Sequence, residues 1–427
     1  MTAISFHRDP SSSESGSPPA CPEAQGPASA SGRASVCFVA PNAYPELSGR
    51  EDVPHVGGAE RQQVLLAREL VQRGYRVSFV VFDHGQTDGE KIHGIRVFTC
   101  YRADRGIRGL RFFHPRLTGL WNAMKRADAD VYYQRGAESE TGIVGSWCRR
   151  HARGFIFSFA NEMTCTLLSP FPATSHSERW LFRHGLHRAD AIVAQTSRQQ
   201  RILREAFGLS STLIRNCCPW AAEVESVTAP LTHDETLGPI LWAGRLSEEK
   251  RPDWVIRLAT DLPDYRFDVV GQYNVASTYG RELAARIESV ANIRWHGYVQ
   301  HSQMQAIYRE CRLLLCTSES EGFPNVFLEA WACGKPVLTS VDPDDVVITH
   351  QLGQVETDYD AMKRRLALLK SESGMWQAAG QRGRRYIRDH HSTTVALNAL
   401  EDVIQRCHES VRVRAQAVRP PIARRKA

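Results

Sequence analysis

The chain has 427 residues, of which 42% are hydrophobic, and a formal net charge of +6 at pH 7. This length exceeds what one compact core usually organises, so we expect two domains with additional tails. No window approaches the roughly 20 consecutive apolar residues that a membrane-spanning helix needs, so we expect a soluble or peripheral protein.

Residues 1–34 differ in composition from the rest of the chain. They include SSSESGSPPACPEAQGPASASGRAS, which is rich in Ser, Pro, Gly and Ala and has almost no aliphatic side chains. Such a segment buries too little apolar surface to offset its ordering entropy, which predicts a disordered leader. A signal peptide is not expected, because no continuous apolar stretch follows a basic end.

From residue 35 onward, short apolar runs alternate with helical patterns. We predict strands in SVCFVA, RVSFVVF, DVYYQR, GFIFSFA and DAIVAQTS, and a helix in AERQQVLLARELVQRG that ends at Gly74. The alternation restarts after residues 216–238, with strands in PILWAG, RFDVVG, NIRWHG, RLLLCTS and KPVLTS. Near-continuous apolar strands that alternate with helices predict an α/β fold of two Rossmann-like, doubly wound parallel-sheet domains, 35–217 and 218–390. Ligands of such folds bind beyond the carboxyl ends of the strands.

Two loops at predicted strand ends carry residues suited to phosphate groups. Gly57 and Gly58 precede a helix, where backbone amides and the helix dipole favour an anion, although a plain tight turn has the same pattern. Arg245 and Lys250, in AGRLSEEK, are two cations that can neutralise a diphosphate. The alternative for these cations is pairing with the adjacent glutamates.

A third loop, in CTSESEGFPNVFLEAWACGKPVLTS, places seven residues between Glu321 and Glu329. Gly322 permits a close backbone approach, and Pro324 suits the first position of a helix. The next amides would then point into the cleft as an anion site, namely those of Asn325, Val326 and Phe327. A carboxylate in the helix can accept hydrogen bonds from a ribose, and one in the loop from a hexose, so the pattern fits a nucleotide sugar. The alternative is a helix that carries acidic residues in its first turns.

These motifs resemble those of the retaining glycosyltransferases of family 4, which have the two-domain GT-B fold. SESEGFPNVFLEAWACGKPVL is similar to the E-x7-E signature of that family, and GRLSEEKRPDWVIRLA to its second phosphate-binding stretch. GGAERQQVLLARELVQRGYRV resembles its amino-terminal glycine loop and helix, and GYVQHSQMQAIYRECRLLLCTS the segment before the signature. The resemblance extends from about Val36 to about Leu400.

The resemblance implies a GT-B fold with a central cleft, a hinge near 216–220 and a helix over 391–410 that crosses back onto the first domain. It implies catalytic roles for Glu321, Lys250 and Arg245. The donor-binding residues would be Gly57, Gly58, Glu321, Gly322, Phe323, Pro324, Asn325, Val326 and Glu329. The nucleotide base would lie near Gly271 and Tyr298. No metal and no cofactor besides the nucleotide-sugar co-substrate are implied, since cations and helix amides replace the metal.

The sequence departs from the family at one position. Many members carry a histidine near the reacting carbon, whereas FIFSFANEMTC contains Ala160, Asn161 and Glu162 there and no histidine. Transfer on one face of the sugar, with the departing phosphate accepting the proton, needs no protein base. Asn161 and Glu162 are therefore candidate contacts to donor or acceptor.

Three functions remain open on the sequence. The first is transfer of a hexose, with retention and without a metal, to a lipid-linked or polysaccharide acceptor. The second is a non-catalytic nucleotide-sugar-binding or partner subunit of an envelope polysaccharide assembly complex. The third is a nucleotide-sugar epimerase of the same architecture, against which the Gly-Phe-Pro-Asn stretch argues.

Basic residues concentrate in two segments. One interleaves aromatic side chains with Arg102, Arg105, Arg108, Arg111 and Arg116, and the other is a tail over 411–427 that we expect to be disordered. Such segments suit an anionic membrane surface or are simply solvated. No nucleic-acid-binding signature accompanies them, so nucleic acid is not an expected partner. Eleven cysteines without Cys-x-x-Cys spacing favour reduced thiols, and hence a cytoplasmic protein that can associate with the inner face of the membrane.

Overall fold

The computed structural model describes residues 33–50, 57–106, 112–136, 138–168, 175–221, 238–273 and 277–417. Within these residues the chain forms two α/β lobes. The N-lobe is built on the sheet of strands β1–β8, and the C-lobe on the sheet of strands β9–β14. The two doubly wound halves and the parallel sheets expected from the sequence are confirmed.

The described N-lobe sheet has eight strands in the order β3-β4-β2-β1-β5-β6-β7-β8. All neighbouring strands are parallel except β3 and β4. The strands are β1 Val36–Val39, β2 Val77–Val81, β3 Lys91–Ile92, β4 Ile95–Thr99, β5 Val131–Arg135, β6 Gly154–Ser158, β7 Ala191–Ala194 and β8 Thr212–Leu213. The β3–β4 hairpin and β8, which lie at the two edges of the sheet, were not predicted.

The N-lobe helices lie between these strands, and local signals set their ends. Gly74 has φ +84° and ends the helix that follows Gly57, and the Thr196 hydroxyl caps the helix after β7 by accepting from the Gln199 amide. The helices are Tyr44–Ser48, Gly58–Gln72, Thr118–Ala127, Glu140–Arg150, Glu162–Leu167, His176–Leu186 and Ser197–Phe207.

The described C-lobe sheet has six parallel strands in the order β11-β10-β9-β12-β13-β14. They are β9 Ile240–Ala243, β10 Phe267–Val270, β11 Ile293–Gly297, β12 Leu313–Cys316, β13 Val337–Thr339 and β14 Gly353–Val355. The helices are Pro252–Asp261, Thr278–Glu288, His301–Glu310, Asn325–Ala332, Val346–Thr349, Tyr359–Ala367 and Ser373–His390, and short 3-10 turns occupy Glu248–Lys250 and Pro343–Asp345. We call Asn325–Ala332 the signature helix.

Both faces of each sheet are buried, as the apolar strands predict. In β1, Phe38 packs into one core cluster while its neighbours Cys37 and Val39 pack into another, because successive side chains point to opposite faces. In β9, Leu241 and Trp242 divide between two clusters in the same way. Since the parallel strands share a direction, their carboxyl ends meet at one edge of each sheet, where the predicted site residues follow.

The last helix, Thr393–Ala417, packs on β5, β6 and the Gly58–Gln72 helix of the N-lobe, and we call it the crossover helix. Residues 411–417, expected in the disordered tail, are helical, and Arg414 of this segment pairs with Asp190 at 2.5 Å. The leader up to residue 32 and the tail from residue 418 lie outside the described residues. Within the described parts of the chain, no helix is long and apolar enough to cross a membrane. The ten described cysteines are free thiols, and all but Cys100 are buried.

Candidate active site

Two of the predicted site residues, Lys250 and Glu321, form an ion pair at the carboxyl edge of the C-lobe sheet. Lys250 follows β9 and Glu321 follows β12, and these strands are neighbours. Glu321 Oε1 accepts hydrogen bonds from Lys250 Nζ and, at 2.7 Å, from the Ser318 hydroxyl. The side chains of Lys250 and Glu321 are partly buried, with exposed fractions of 21% and 14%. A cation and a carboxylate are therefore held side by side at the base of the signature helix.

Arg245 is placed differently from Lys250. Its guanidinium pairs with Glu249 at 2.9 Å, and its side chain is 72% exposed. The alternative pairing with an adjacent glutamate is thus observed for Arg245 but not for Lys250. Because an exposed ion pair of this kind contributes little free energy, Arg245 can exchange Glu249 for a phosphate at low cost.

Glu329 lies within the signature helix and is buried. The Tyr308 hydroxyl donates to its carboxylate at 2.9 Å, and His301 Nε2 and Arg61 Nη1 lie 3.1 and 3.2 Å away. Burial by itself would raise the pKa of Glu329, but His301, Arg61 and Tyr308 outweigh burial and hold the pKa below its ordinary value. Glu329 was expected on a face reachable from the cleft. In the structure, Arg61 and His301, which are partly exposed, cover the carboxylate.

The start of the signature helix differs from the prediction in two details. Pro324 is the residue before the helix, not its first residue, and no side chain caps the helix. The Phe327 amide donates to the Pro324 carbonyl at 3.1 Å, so it is not free. The amides of Asn325 and Val326 have no hydrogen-bond partner among the described residues, and two donors thus remain for an anion.

The glycines of the site lie where the two lobes touch. A Cβ on Gly322 would come within 2.3 Å of Gln195 Nε2 and 2.6 Å of the Ala160 carbonyl oxygen. A Cβ on Gly58 would come within 2.6 Å of Asn325 Nδ2, which donates to the Gly58 carbonyl at 3.0 Å. A side chain at Gly322 would therefore clash with the Ala160 backbone, and one at Gly58 would displace the Asn325 side chain.

A network of polar side chains joins the signature loop to the N-lobe and the hinge. Asn216 Nδ2 donates to the Phe323 carbonyl and to Asn325 Oδ1, both at 3.0 Å. Gln62 Nε2 donates to Asn325 Oδ1 at 3.3 Å, and Arg135 donates to Asn216 Oδ1 at 2.6 Å. We call Asn216, Asn325, Gln62 and Arg135 the interlobe network. The sequence analysis missed its N-lobe members, because their partners are more than 80 residues away along the chain.

Asn161 and Glu162 lie beside the signature loop, but their side chains are already engaged. A Cβ on Gly322 would lie 3.0 Å from the Asn161 Cα. Asn161 Oδ1 caps the following helix by accepting from the Thr164 amide at 2.8 Å, and Glu162 pairs with Arg198 at 3.0 Å. Asn161 thus stabilises a helix end close to the signature loop.

The candidate residues for the nucleotide base also lie near the site. Gly271 has φ +145°, and a Cβ there would lie 1.8 Å from the carbonyl oxygen of Gly244, the residue before Arg245. Only glycine allows this close contact between the loops after β9 and β10. Tyr298 is 37% exposed and interacts electrostatically with Arg61, which covers Glu329.

The basic segment proposed for membrane binding is partly directed inward. Arg116 pairs with Glu140 at 3.2 Å and donates to the Ser139 hydroxyl at 3.0 Å, whereas Arg102 forms an exposed pair with Asp104. Arg108 and Arg111 lie outside the described residues. As for metals, the described residues contain no group of three or more His, Cys, Asp or Glu side chains that could hold an ion.

Comparisons with known proteins identify the family of this chain. The family model described as Glycosyltransferase Family 4 matches residues 56–219, and the model described as Glycosyl transferases group 1 matches residues 225–386. A D-inositol 3-phosphate glycosyltransferase of Xylanimonas cellulosilytica is 28% identical over 170 residues, which cover 36% of this chain and 40% of that protein. The stretches that match curated relatives span from 21% to 40% of those proteins.

Solved structures share the whole two-lobe arrangement. Sucrose-phosphate synthase from Thermosynechococcus elongatus has a TM-score of 0.69 at 17% identity, over 88% of this chain and 100% of that one. Anabaena HepE in complex with UDP and glucose has a TM-score of 0.65 at 16% identity, over 87% of this chain and 100% of that one. Together with the family models, this fold shows that the chain belongs to the family 4 glycosyltransferases with the GT-B fold.

Proposed function

We propose that this protein transfers a hexose from a nucleoside-diphosphate sugar to a lipid-linked or polysaccharide acceptor, with retention of the anomeric configuration and without a metal ion. The observation that carries the proposal is the pairing of Lys250 with Glu321 beside the two free amides of the signature helix. These groups combine a cation and helix amides for phosphate with a carboxylate for sugar hydroxyls.

The donor would occupy the site in a defined direction. The diphosphate would lie against Lys250, Arg245 and the amides of Asn325 and Val326, and the hexose would hydrogen-bond to Glu321. The Lys250 ammonium has three donors, so it can keep Glu321 in place while it contacts a phosphate oxygen. For the ribose to reach Glu329, Arg61 or His301 would have to move away from the carboxylate.

The transfer step would need no base at position 161. The bond between the anomeric carbon and the phosphate oxygen breaks, and the acceptor oxygen bonds to the same face of the carbon. The acceptor proton passes to the departing phosphate oxygen. Lys250 and Arg245 stabilise the negative charge that develops on this phosphate. The use of Asn161 Oδ1 as a helix cap is compatible with such a step.

The identity of the donor is supported by the solved relatives. The HepE structure contains UDP and glucose, and a structure of Staphylococcus aureus TarM contains UDP and α-GlcNAc-glycerol. A uridine diphosphate sugar is therefore the first donor to test on this chain.

The decisive experiment measures donor turnover by variants of the Lys250–Glu321 pair. Purified protein is incubated with a panel of nucleotide sugars, with and without EDTA, and the released nucleotide is quantified. We expect Lys250→Met and Glu321→Gln each to lower turnover roughly 100-fold to 1000-fold, since each removes a group that stabilises the transition state. EDTA should have no effect. The control is Lys363→Met, which removes an ion pair with Asp261 on the outer surface of the C-lobe.

The rival function, a non-catalytic nucleotide-sugar-binding subunit, draws on the absence of a histidine at Asn161 and on the burial of Glu329. It predicts that nucleotide sugars raise the melting temperature without any release of nucleotide. The same panel separates the two functions. Binding without turnover by the wild-type chain would refute the enzymatic proposal, and full activity of Glu321→Gln would refute the role of the pair.

Peripheral association with the cytoplasmic face of the membrane is part of the proposal. It depends on Arg105, which is exposed, and on the neighbouring Arg108 and Arg111. We expect vesicles with anionic lipid to sediment the protein and reversal of these three arginines to glutamate to abolish sedimentation. Reversal of Arg149, Arg150 and Arg204, which are exposed on two other N-lobe helices, serves as the charge-matched control.

A further inference from the structure

A cavity of about 400 Å³ lies between the lobes, away from the donor-binding candidates. Its N-lobe side is the first turn of the Ser197–Phe207 helix together with the segment after β8, and its C-lobe side includes the turn Pro343–Asp345 and the end of the helix Ser373–His390. None of the donor-binding candidates lines it. The lining residues are Ser197, Arg198, Arg201, Arg215, Asp344, Asp345, Val346, His350, Tyr386 and His390.

The lining carries two arginines that pair with no carboxylate among the described residues. Arg198 pairs with Glu162, but Arg201 and Arg215 form no ion pair or hydrogen bond with any residue that the structure describes. Asp344 pairs with neither arginine, and its two oxygens accept from the amides of Ser197 and Arg198 at 2.6 and 2.8 Å. Asp345 is the remaining carboxylate of the lining.

Two histidines line the C-lobe side of the cavity. His350 and His390 lie with ring centroids 5.7 Å apart, and both pack against Tyr386. Burial lowers the pKa of His390, and His350 and Arg215 lower it further, which favours the neutral imidazole. The guanidinium groups of Arg201 and Arg215 carry like charges in one cavity, and an anion between them would relieve their repulsion.

We propose that this cavity is a binding site for a free small molecule that carries a phosphate or diphosphate group. The planar forks of Arg201 and Arg215 suit two-pronged contacts to phosphate oxygens, and the imidazoles supply further donors. The volume lies within the range of small-molecule sites. The site is separate from the donor site, and the observations behind it do not depend on the proposed transfer reaction.

An anion in this cavity would contact both lobes. Arg201 and Arg215 belong to the N-lobe, while His350 and His390 belong to the C-lobe. A ligand that binds only when both sides are present stabilises the arrangement in which the lobes touch. The anion would therefore favour the same arrangement as the interlobe network and would tighten binding of a donor held between the lobes.

The test uses inorganic pyrophosphate as the probe and isothermal titration calorimetry as the measurement, at constant ionic strength set with sodium chloride. Pyrophosphate can also enter the donor site, so titrations are done in the Lys250→Ala/Arg245→Ala background. We expect this double variant to keep one pyrophosphate site. Adding Arg201→Gln or Arg215→Gln should weaken that site at least roughly tenfold, since each removes charged hydrogen bonds to the anion.

The matched control is Arg204→Gln, on the same helix as Arg201 but outside the cavity, where Arg204 is exposed beside Glu205. It should leave pyrophosphate affinity unchanged. Absence of binding in the double variant, or equal weakening by Arg204→Gln and Arg201→Gln, would overturn the proposal. Melting curves without pyrophosphate check folding. If Arg215→Gln does not fold, the pyrophosphate affinity of Arg201→Gln decides the test, because Arg201 is exposed.

Discussion

Glu329 illustrates how a single buried carboxylate is kept ionised in this protein. Its exposed fraction is 3%, and an ionised group at that depth is costly unless hydrogen bonds and opposite charges compensate. Tyr308, His301 and Arg61 provide this compensation from two different lobes. Tyr308 is fully buried and approaches the carboxylate from within the C-lobe, so its bond is independent of how the lobes are arranged.

The contribution of Tyr308 is measurable. Because a hydrogen bond to a buried charge contributes about 1.5–3 kcal/mol, Tyr308→Phe should lower the free energy of unfolding by that amount in urea denaturation. Tyr359→Phe is the control, since Tyr359 also donates to a carboxylate at 2.9 Å, but that of Asp261, whose side chain is 36% exposed. Its cost should stay below about 1 kcal/mol. Equal losses of unfolding free energy in the two variants would show that the burial of Glu329 does not strengthen its hydrogen bond with Tyr308.

His391 makes stability depend on pH. It is fully buried and hydrogen-bonds through Nδ1 to the Asn216 carbonyl at 2.6 Å, and burial lowers its pKa from 6.5 to about 3. Between these values the unfolded chain binds a proton that the folded chain does not. His391 therefore destabilises the fold as pH falls from 6.5 towards 3, by about 1.4 kcal/mol per pH unit, and does not contribute to the slope above 6.5.

We expect His391→Gln to remove this slope, as measured by urea denaturation at intervals between pH 6.5 and pH 4. His187→Gln, at an exposed position, should retain it. An unchanged slope in His391→Gln would mean that other groups dominate the acid response.

For single residues, the sequence analysis found those that stand in a recognisable local pattern. Lys250, Glu321 and Gly322 stand in recognisable loops at strand ends, and the structure brings them to one edge. His301 and Arg61 stand inside stretches already singled out, but nothing local shows that they face Glu329. Their partner lies 28 and 268 residues away, respectively, so only the folded chain reveals the contacts.

Among the elements, the crossover helix contributes to the N-lobe although it comes from the end of the chain. Its apolar side is buried against β5, β6 and the Gly58–Gln72 helix. Cys407 lies so near β6 that a Cβ on Gly154 would come within 2.6 Å of its Sγ. The helix therefore completes one face of the N-lobe core.

Truncation of a side chain in this helix should thus destabilise the N-lobe. Leu400 is 1% exposed, and Leu400→Ala should lower the free energy of unfolding by about 2–5 kcal/mol through lost burial and a residual cavity. Val413→Ala, at a position of the same helix that is 65% exposed, should change it by less than about 0.5 kcal/mol. Denaturant titration followed by circular dichroism compares the two, and a small loss for Leu400→Ala would indicate that the helix is only loosely attached.

The elements that the sequence predicted well are those with a strong apolar period. β1, β2, β9 and β12 are short continuous apolar runs and were all expected. The hairpin Lys91–Thr99 was not, since Lys91 and Arg96 are exposed and give it no such run. β8 and β14 have two and three residues, too few for a period to be recognised.

In the whole molecule, the interlobe network is one of the sets of polar contacts that join the lobes. Asn325 is its centre, because it accepts from Asn216 and Gln62 and donates to Gly58. Three hydrogen bonds at about 0.5–1.5 kcal/mol each amount to about 1.5–4.5 kcal/mol, enough to shift a two-state equilibrium tenfold or more.

Asn325→Ala should therefore favour separated lobes. We expect a larger radius of gyration in small-angle X-ray scattering and at least tenfold weaker binding of UDP by calorimetry. Asn398→Ala is the control, since Asn398 bonds to Arg73 at an exposed position of the crossover helix, outside the interlobe network. An unchanged radius of gyration in Asn325→Ala would assign lobe contact to packing instead of these bonds.

Within the described residues, the chain passes between the lobes at Asn216–Cys218 and at His391, and these two passages are bonded to each other. His391 bonds to the Asn216 carbonyl, and the Cys218 amide donates to the His391 carbonyl at 3.0 Å. Because the lobes are bonded to each other at these two passages, we expect the easiest motion between them to be a rotation about an axis through Asn216–Cys218 and His391. The displacement in such a rotation grows with distance from the axis. Fluorescent dye pairs attached to the parts of the two lobes farthest from Cys218 should therefore report a change in distance, whereas pairs beside Cys218 should report none.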